Sequence, residues 1–175
     1  MAYTGISTAL GSVAGSVSAN NTASQIQLVV GTIPTDFLGA NTTFRVIADG
    51  IISTKSATVG TATWSVRIGT TTLTGNIPTS IVPTLGVSLS SQPWHVDFTI
   101  TVITGTNSGT VRGNGYILGN LGTSNALLFK GTGTTGTVAI DCTASNIIEL
   151  TFQWGTADSA NLLTCYNAII DNAKI

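Results

Sequence analysis

The strongest constraint on the fold of this chain is a strict alternation of apolar and polar side chains along several segments. Along residues 148–154, Ile, Leu, Phe and Trp occupy every second position, with Glu149, Thr151 and Gln153 between them. Residues 94–102 alternate in the same way. Successive side chains of a β-strand point to opposite faces of the sheet, so this pattern predicts half-buried antiparallel strands that pack one face on a core.

Further segments extend the pattern to about eight or nine predicted strands, at turn-to-turn spacings typical of sandwiches and jelly rolls. The clear segments include residues 44–48 and 64–68. Weaker candidates are residues 25–30, 109–118, 126–129, 137–142 and 162–170. The chain is rich in Thr and Val, whose branched side chains fit a pleated sheet better than a helix. The sequence therefore predicts an all-β protein built as an antiparallel sandwich.

The start of the chain differs from the rest, because residues 1–24 carry no charge and no clean alternation. They are predicted to form an N-terminal arm that docks on a neighbouring molecule or on its own domain, with a frayed terminus as the alternative. Residues 25–175 form the predicted sandwich domain. Within it, residues 104–109 predict a hairpin tip. The segment at 75–93 is predicted to be a surface loop, because it contains prolines and proline is excluded from central β-ladders.

Charge is scarce in this chain. Asp, Glu, Lys and Arg make up 7% of its residues, against about 25% in ordinary soluble domains. The six Lys and Arg residues are scattered singly, and the pI is near 5.5. These features exclude a broad basic surface for nucleic acid and a basic cluster for an anionic membrane, so we expect neither as a partner. A surface of hydroxyls and amides repels copies of itself weakly, which suits a protein that sits against other protein.

No targeting signal is visible in the sequence. Residues 1–24 lack the positive start and the continuous apolar core of a secretory signal. No segment reaches the apolar length of a transmembrane helix. The sequence therefore predicts a protein that is made in the cytoplasm and is not exported by the usual route.

Six ionisable side chains fall at outward-facing strand positions, and we predict that they form cross-strand ion pairs on the outer face of one sheet. These residues are Arg45, Arg67, His95, Asp97, Arg112 and Glu149. A catalytic alternative would pair Asp97 with Glu149 as acid and base around a sugar. A role of His95 as a catalytic base is not supported, because the sequence contains no nucleophile motif that His95 could activate. We therefore assign no catalytic or cofactor-binding residues and expect a protein that is not an enzyme.

The two cysteines, Cys142 and Cys165, are expected to be buried reduced thiols. Cys142 is predicted to end the strand at 137–142 and to point with its apolar neighbours. A disulfide between the two is left open, because spacing alone does not establish it. A zinc site would need more ligands than the chain offers, so no metal site is predicted.

Aromatic residues divide into two groups. Trp64, Trp94 and Trp154 lie in phase with apolar neighbours, which predicts core positions between two sheets. The tyrosines are the better candidates for stacking against a sugar if they are exposed; these are Tyr3, Tyr116 and Tyr166.

The chain resembles the jelly-roll domains of tailed-bacteriophage virion proteins over about residues 25–170. The resemblance lies in the succession IPTDFLG (33–39), TFRVIADG (43–50), WSVRIG (64–69), WHVDFTI (94–100), GTVRGNG (109–115), IELTFQW (148–154) and NLLTC (161–165). It implies an antiparallel jelly-roll sandwich with a short N-terminal arm. Domains of this kind occur in head decoration proteins, head fibres and the tips of tail fibres or spikes, and they are often trimeric.

Within that family, the absence of a long repetitive shaft favours a head decoration or cement protein that binds and stabilises the capsid without catalysis. The resemblance implies a homotrimer, partnered by the major capsid protein or another virion protein and located in the virion. The alternative is a receptor-binding tail fibre or spike tip that recognises host-surface glycan. Exposed aromatic residues in the segment at 75–93 would support that alternative, but the segment contains no Tyr, Trp or Phe, which weakens it.

The resemblance generates a prediction about assembly. We expect the purified protein to have the native mass of three chains of 17.8 kDa each. Light scattering coupled to size-exclusion chromatography measures this mass directly. A monomer at micromolar concentration would contradict the predicted trimer and would leave the prediction of the fold unaffected.

Overall fold

A computed structural model describes residues 9–12, 16–54, 60–69, 75–76, 82–122, 126–129 and 137–172. Across these ranges every regular element is a β-strand, which confirms the all-β prediction. The strands are β1 (Ala9–Ser12), β2 (Val17–Asn20), β3 (Ile26–Ile33), β4 (Thr43–Ser53), β5 (Ala62–Gly69), β6 (Gly75–Asn76), β7 (Gln92–Thr104), β8 (Gly109–Gly119), β9 (Ala126–Phe129), β10 (Thr137–Ile140), β11 (Asn146–Trp154) and β12 (Leu162–Asn172).

The strands form two antiparallel sheets. The larger sheet, which we call the first sheet, has the order β1-β12-β4-β7-β8-β10, with β2 also on β12 and β9 also on β8. The second sheet has the order β3-β11-β5-β6. Many neighbours in each sheet come from distant parts of the chain, so most ladders close a long loop.

The core lies between the sheets, where the inward phases of the alternating strands meet. Trp64, Trp94 and Trp154 are at most 2% exposed, which confirms their predicted core positions. The ring centroids of Trp64 and Phe152 are 4.8 Å apart, and those of Phe152 and Trp154 are 4.9 Å apart. Trp94 of the first sheet lies 6.1 Å from Trp64 of the second. This aromatic cluster therefore joins the two sheets face to face.

The predicted strands at 94–102 and 148–154 are confirmed as the central parts of β7 and β11. The predicted hairpin tip is also confirmed, since β7 ends at Thr104 and β8 begins at Gly109. The expected number of eight or nine strands is too low, because the described ranges hold twelve. The alternation pattern misses β1, β2 and β6, which carry no clear alternation of apolar and polar residues and pair with other strands of the two sheets.

The described part of the predicted arm docks on its own domain. Both β1 and β2 pair antiparallel with β12. Ala19 in β2 is buried, and its carbonyl oxygen accepts a hydrogen bond of 3.1 Å from the indole nitrogen of Trp154. Residues 1–8 and 13–15 lie outside the described residues. The arm thus covers an edge of β12 that would otherwise present unpaired backbone.

The prediction of a surface loop at 75–93 is only partly correct. Leu85 is buried in the core and forms a bridge with Gly122. Pro93 belongs to β7, opposite Ile51 of β4. It is tolerated there because it is the second residue of the strand, and β8 joins β7 only from Trp94 onward.

Both cysteines are buried and free, as expected. Burial raises the pKa of the Cys165 thiol to about 11, which keeps it protonated and unreactive at neutral pH. The prediction that Cys142 ends a strand is wrong, because β10 ends at Ile140. Cys142 lies in the following turn, where its thiol approaches the carbonyl oxygen of Thr104 at 3.5 Å.

Two of the tryptophans allow a matched test of the contact between the arm and the core. Trp154→Phe removes the hydrogen bond to Ala19, whereas the indole nitrogen of Trp64 has no hydrogen-bond partner within the described part of the chain. Both changes delete a similar buried volume. We expect Trp154→Phe to lower the free energy of unfolding by about 1–3 kcal/mol more than Trp64→Phe does. Urea denaturation measures both, and equal losses would contradict a stabilising role for this bond.

Candidate functional site

An ion pair stands at the centre of the outer face of the first sheet. The Nε and Nη2 atoms of Arg45 donate to Oδ1 and Oδ2 of Asp97 at 2.9 and 2.6 Å, respectively. The Tyr116 hydroxyl donates to the same carboxylate at 3.3 Å. The hydrogen bonds from Arg45 lower the pKa of Asp97, although partial burial acts in the opposite direction. The same hydrogen bonds raise the pKa of Arg45.

A second ion pair lies on the outer face of the other sheet. Arg67 on β5 is directly opposite Glu149 on β11, and its guanidinium donates to Glu149 Oε1 at 3.1 Å. Gln27 of β3 donates to Glu149 Oε2 at 2.7 Å. Glu149 is only 4% exposed, so its carboxylate is held by these donors and not by bulk water. The predicted cross-strand pairing is confirmed for both acids, but the two pairs occupy two sheets and not one.

The catalytic alternative for Asp97 and Glu149 is wrong. The two carboxylates belong to different sheets and lie on opposite outer faces of the sandwich, each bound to its own arginine. A pair of acid and base groups must flank one reacting bond, which this separation does not allow. Arg112 is exposed on β8, between Thr101 of β7 and Thr137 of β10.

A shallow depression of about 370 Å³ opens on the outer face of the first sheet. One row of directly opposed residues, Asp49, His95 and Leu118, crosses β4, β7 and β8 and lines it. The adjacent row is Gly50, Trp94 and Gly119. Because Trp94 points into the core and its two neighbours have no side chains, this second row presents backbone to the depression.

Tyr166 forms the wall of the depression on the β12 side, and its position depends on a β-bulge. The pairing of β12 with β4 shifts between Cys165 and Asn167. Tyr166 and Asn167 are consecutive, yet both are exposed, while Cys165 and Ala168 on either side are buried. A bulge produces this arrangement because the extra residue breaks the period of two.

The polar side of the depression is held in place by Asn167. Its amide nitrogen donates to Asp49 Oδ2 at 3.2 Å. This bond fixes the carboxylate while leaving acceptor positions on both of its oxygens. The depression therefore combines an exposed aromatic ring, an exposed leucine, an oriented carboxylate and an imidazole.

A different surface lies at the end of the sandwich where β3 connects to β4 and β7 connects to β8. Phe37 is 40% exposed and Ile103 is 46% exposed at this end. The two connections are in contact, since Asn41 donates its backbone N–H to Val102 O at 2.8 Å. We call Phe37 and Ile103 the apolar end. Val87, also exposed, precedes β7 at the opposite end of that strand.

Of the tyrosines proposed for sugar stacking, the structure singles out Tyr166, which is 54% exposed. Tyr116 is partly buried and engaged with Asp97, and Tyr3 lies outside the described residues. Sequence reasoning missed the bulge beneath Tyr166. The burial pattern of β12 reveals it, because buried residues occur at 163, 165, 168 and 170, with one step of three among steps of two.

Comparison with family models, curated proteins and solved structures finds no match to this chain. Within the ranges that the structure describes, no helix has the length and apolar character needed to cross a membrane. Over the same ranges, no three His, Cys, Asp or Glu side chains cluster in a way that could hold a metal ion.

The lowered pKa of Asp97 predicts a specific loss of stability in acid. The ionised carboxylate stabilises the fold fully above its unfolded-state pKa near 3.8, and this contribution is lost as the pH falls through the lower folded-state value. Arg45 is 48% exposed, so solvent screening limits the contribution to at most about 1 kcal/mol. We expect Asp97→Asn to lose less stability than the wild type as the pH falls below about 4.

Denaturant midpoints measured across this pH range test the prediction. Arg45→Met serves as the control, because it removes the same ion pair from the other side. Adding Asp97→Asn to the Arg45→Met variant should change the acid dependence of the denaturant midpoint much less than adding Asp97→Asn to the wild type does. Equal effects in the two backgrounds would assign the acid sensitivity to another group.

Proposed function

We propose that this chain is a structural protein of a bacteriophage virion, a head decoration or cement protein that binds the capsid and stabilises it without catalysis. The observation that carries the proposal is the strand order. The sets β2-β12-β4-β7 and β3-β11-β5-β6 support a jelly roll, because an eight-stranded jelly roll consists of two packed sheets and is used in viral capsid and lectin domains. On this assignment, β8, β9 and β10 extend one sheet and lie in the chain between β7 and β11.

The electrostatics of the outer faces support a binding role over a catalytic one. Asp97 and Glu149 accept hydrogen bonds from Arg45 and Arg67, so these four groups stabilise the sheets. Cys165 is buried and its pKa is raised, which makes it a poor nucleophile. Such a surface offers complementarity to a partner, and it has few like charges to repel one.

We assign capsid attachment to the apolar end and not to the N-terminal arm. The described strands of the arm are already paired with β12 of the same chain. The apolar end, in contrast, exposes an aromatic and a branched aliphatic side chain on two connections that support each other. Burial of such side chains against a capsid subunit would contribute about 1.5–3 kcal/mol each at full burial. A trimer would present three copies of this end and gain avidity from all of them.

The receptor-binding tip of a tail fibre or spike is the second candidate. The depression beside Tyr166 favours it, because an exposed ring next to oriented polar groups suits a glycan. The two candidates place the protein at different positions on the particle.

Immunogold electron microscopy of particles of the phage that encodes the chain tests the proposal, using antibody to the recombinant protein. Label over the head supports the decoration role. Label confined to the tail end would overturn it in favour of the receptor-binding tip. Particles without label, beside a positive control with antibody to the major capsid protein, would remove the virion assignment altogether.

The apolar end generates a prediction with a matched control. Ile103→Thr should weaken co-sedimentation with particles that lack the protein by about tenfold or more, because it removes exposed apolar area from the proposed contact. Val87→Thr makes a similar change at a residue 45% exposed at the other end of β7, and it should leave attachment unchanged. Both variants should keep the wild-type unfolding midpoint. Equal binding by the two variants would reject the apolar end as the contact.

A further inference from the structure

We infer that the depression on the outer face of the first sheet binds a neutral saccharide, with Tyr166 as the stacking surface and Asp49 as the hydroxyl acceptor. This inference rests on the chemistry of the described surface and holds for either position on the particle. It adds a ligand and a binding site to a protein whose proposed function is attachment.

The aromatic wall is the first argument. Tyr166 is more exposed than Phe37 of the apolar end, and the bulge holds it out of the regular alternation of β12. An aromatic ring beside a shallow depression can cover the C–H face of a pyranose while the tyrosine hydroxyl remains in water. Leu118, 42% exposed across the depression, supplies a second apolar wall.

The polar groups are the second argument. Asp49 is held by Asn167 at 3.2 Å, so its carboxylate is oriented before a ligand arrives. A fixed carboxylate accepts two hydrogen bonds from neighbouring hydroxyls, an arrangement that sugars provide and most protein side chains do not. His95 lies directly opposite Asp49 on β7 and offers a further ring nitrogen to the same space.

The charge of the lining selects neutral sugars. None of the eight residues that line the depression is Lys or Arg, and Asp49 is its acidic member. Arg45, on the same strand as Asp49, is engaged by both oxygens of Asp97. A sialic acid or a phosphorylated glycan would therefore bring a negative charge to Asp49 without a cation to offset it.

The size and shape of the depression fit a short ligand. Its volume of about 370 Å³ lies at the lower end of the roughly 300–1,000 Å³ typical of small-molecule sites. It is shallow, which suits one or two sugar rings better than a buried cofactor. A protein partner is the less suitable occupant, because Asp49 and His95 place polar groups in the depression, whereas Phe37 and Ile103 of the apolar end are both apolar.

A nuclear magnetic resonance titration of the isotope-labelled full chain tests the inference. Glucose, galactose, mannose and N-acetylglucosamine are added separately at millimolar concentrations, with sialic acid as the anionic comparison. We expect at least one neutral sugar to shift the amide signals of residues around 49, 95, 118 and 166, and sialic acid to shift them less. No shifts with any neutral sugar, shifts confined to another surface, or a stronger response to sialic acid would each overturn the inference.

Substitutions of Tyr166 test whether its aromatic ring forms the sugar-binding surface. Tyr166→Ala should weaken the sugar by about tenfold or more through loss of stacking, whereas Tyr166→Phe should keep most of the affinity. Ile103→Thr should leave sugar binding unchanged, and Tyr166→Ala should leave attachment to particles unchanged. Failure of the saccharide site is thereby separated from failure of the attachment proposal. If Tyr166→Ala changes the native mass or the attachment and not sugar binding, the depression is a protein contact and the inference is wrong.

Discussion

The packing of four aromatic side chains between the two sheets is the constraint on which the rest of this structure depends. Trp64, Phe152 and Trp154 come from the second sheet, and Trp94 meets them from the first. A shift of one residue in any of these strands would turn its ring outward and bring a polar residue into the core. The cluster therefore fixes the register of β5, β7 and β11, and through their ladders it fixes the outer faces as well.

The outer faces follow from that register. Once Val96 and Phe98 point inward, Asp97 must point outward, where Arg45 on the neighbouring strand can reach it. The same reasoning places Glu149 between Arg67 and Gln27 on the other sheet. Asp97 and Glu149 are thus held in ion pairs, and much of the remaining surface is formed by hydroxyls, amides and short apolar side chains. Such a surface stays available for contact with another molecule.

The candidate sites are formed where the regular alternation breaks. The bulge between Cys165 and Asn167 exposes two consecutive side chains, and the carboxylate beside them comes from a strand more than a hundred residues earlier. The apolar end likewise joins the loop before β4 to the end of β7. Ladders and core packing fix the side chains of a regular strand, whereas an irregular position is free to present a side chain to a ligand.

The sequence by itself determined the strand class, the inward phase of the tryptophans, the burial of the cysteines and the outward position of the charged residues. Each of these depends on residue type and on the local period of two, which is visible along a single strand. Only the tertiary structure decided which strands are neighbours, that Asp97 and Glu149 lie on opposite faces, and that β1 and β2 pair with β12. The physical reason is that short strands without alternation gain their stability from partners far away in the chain, and a local pattern carries no information about those partners.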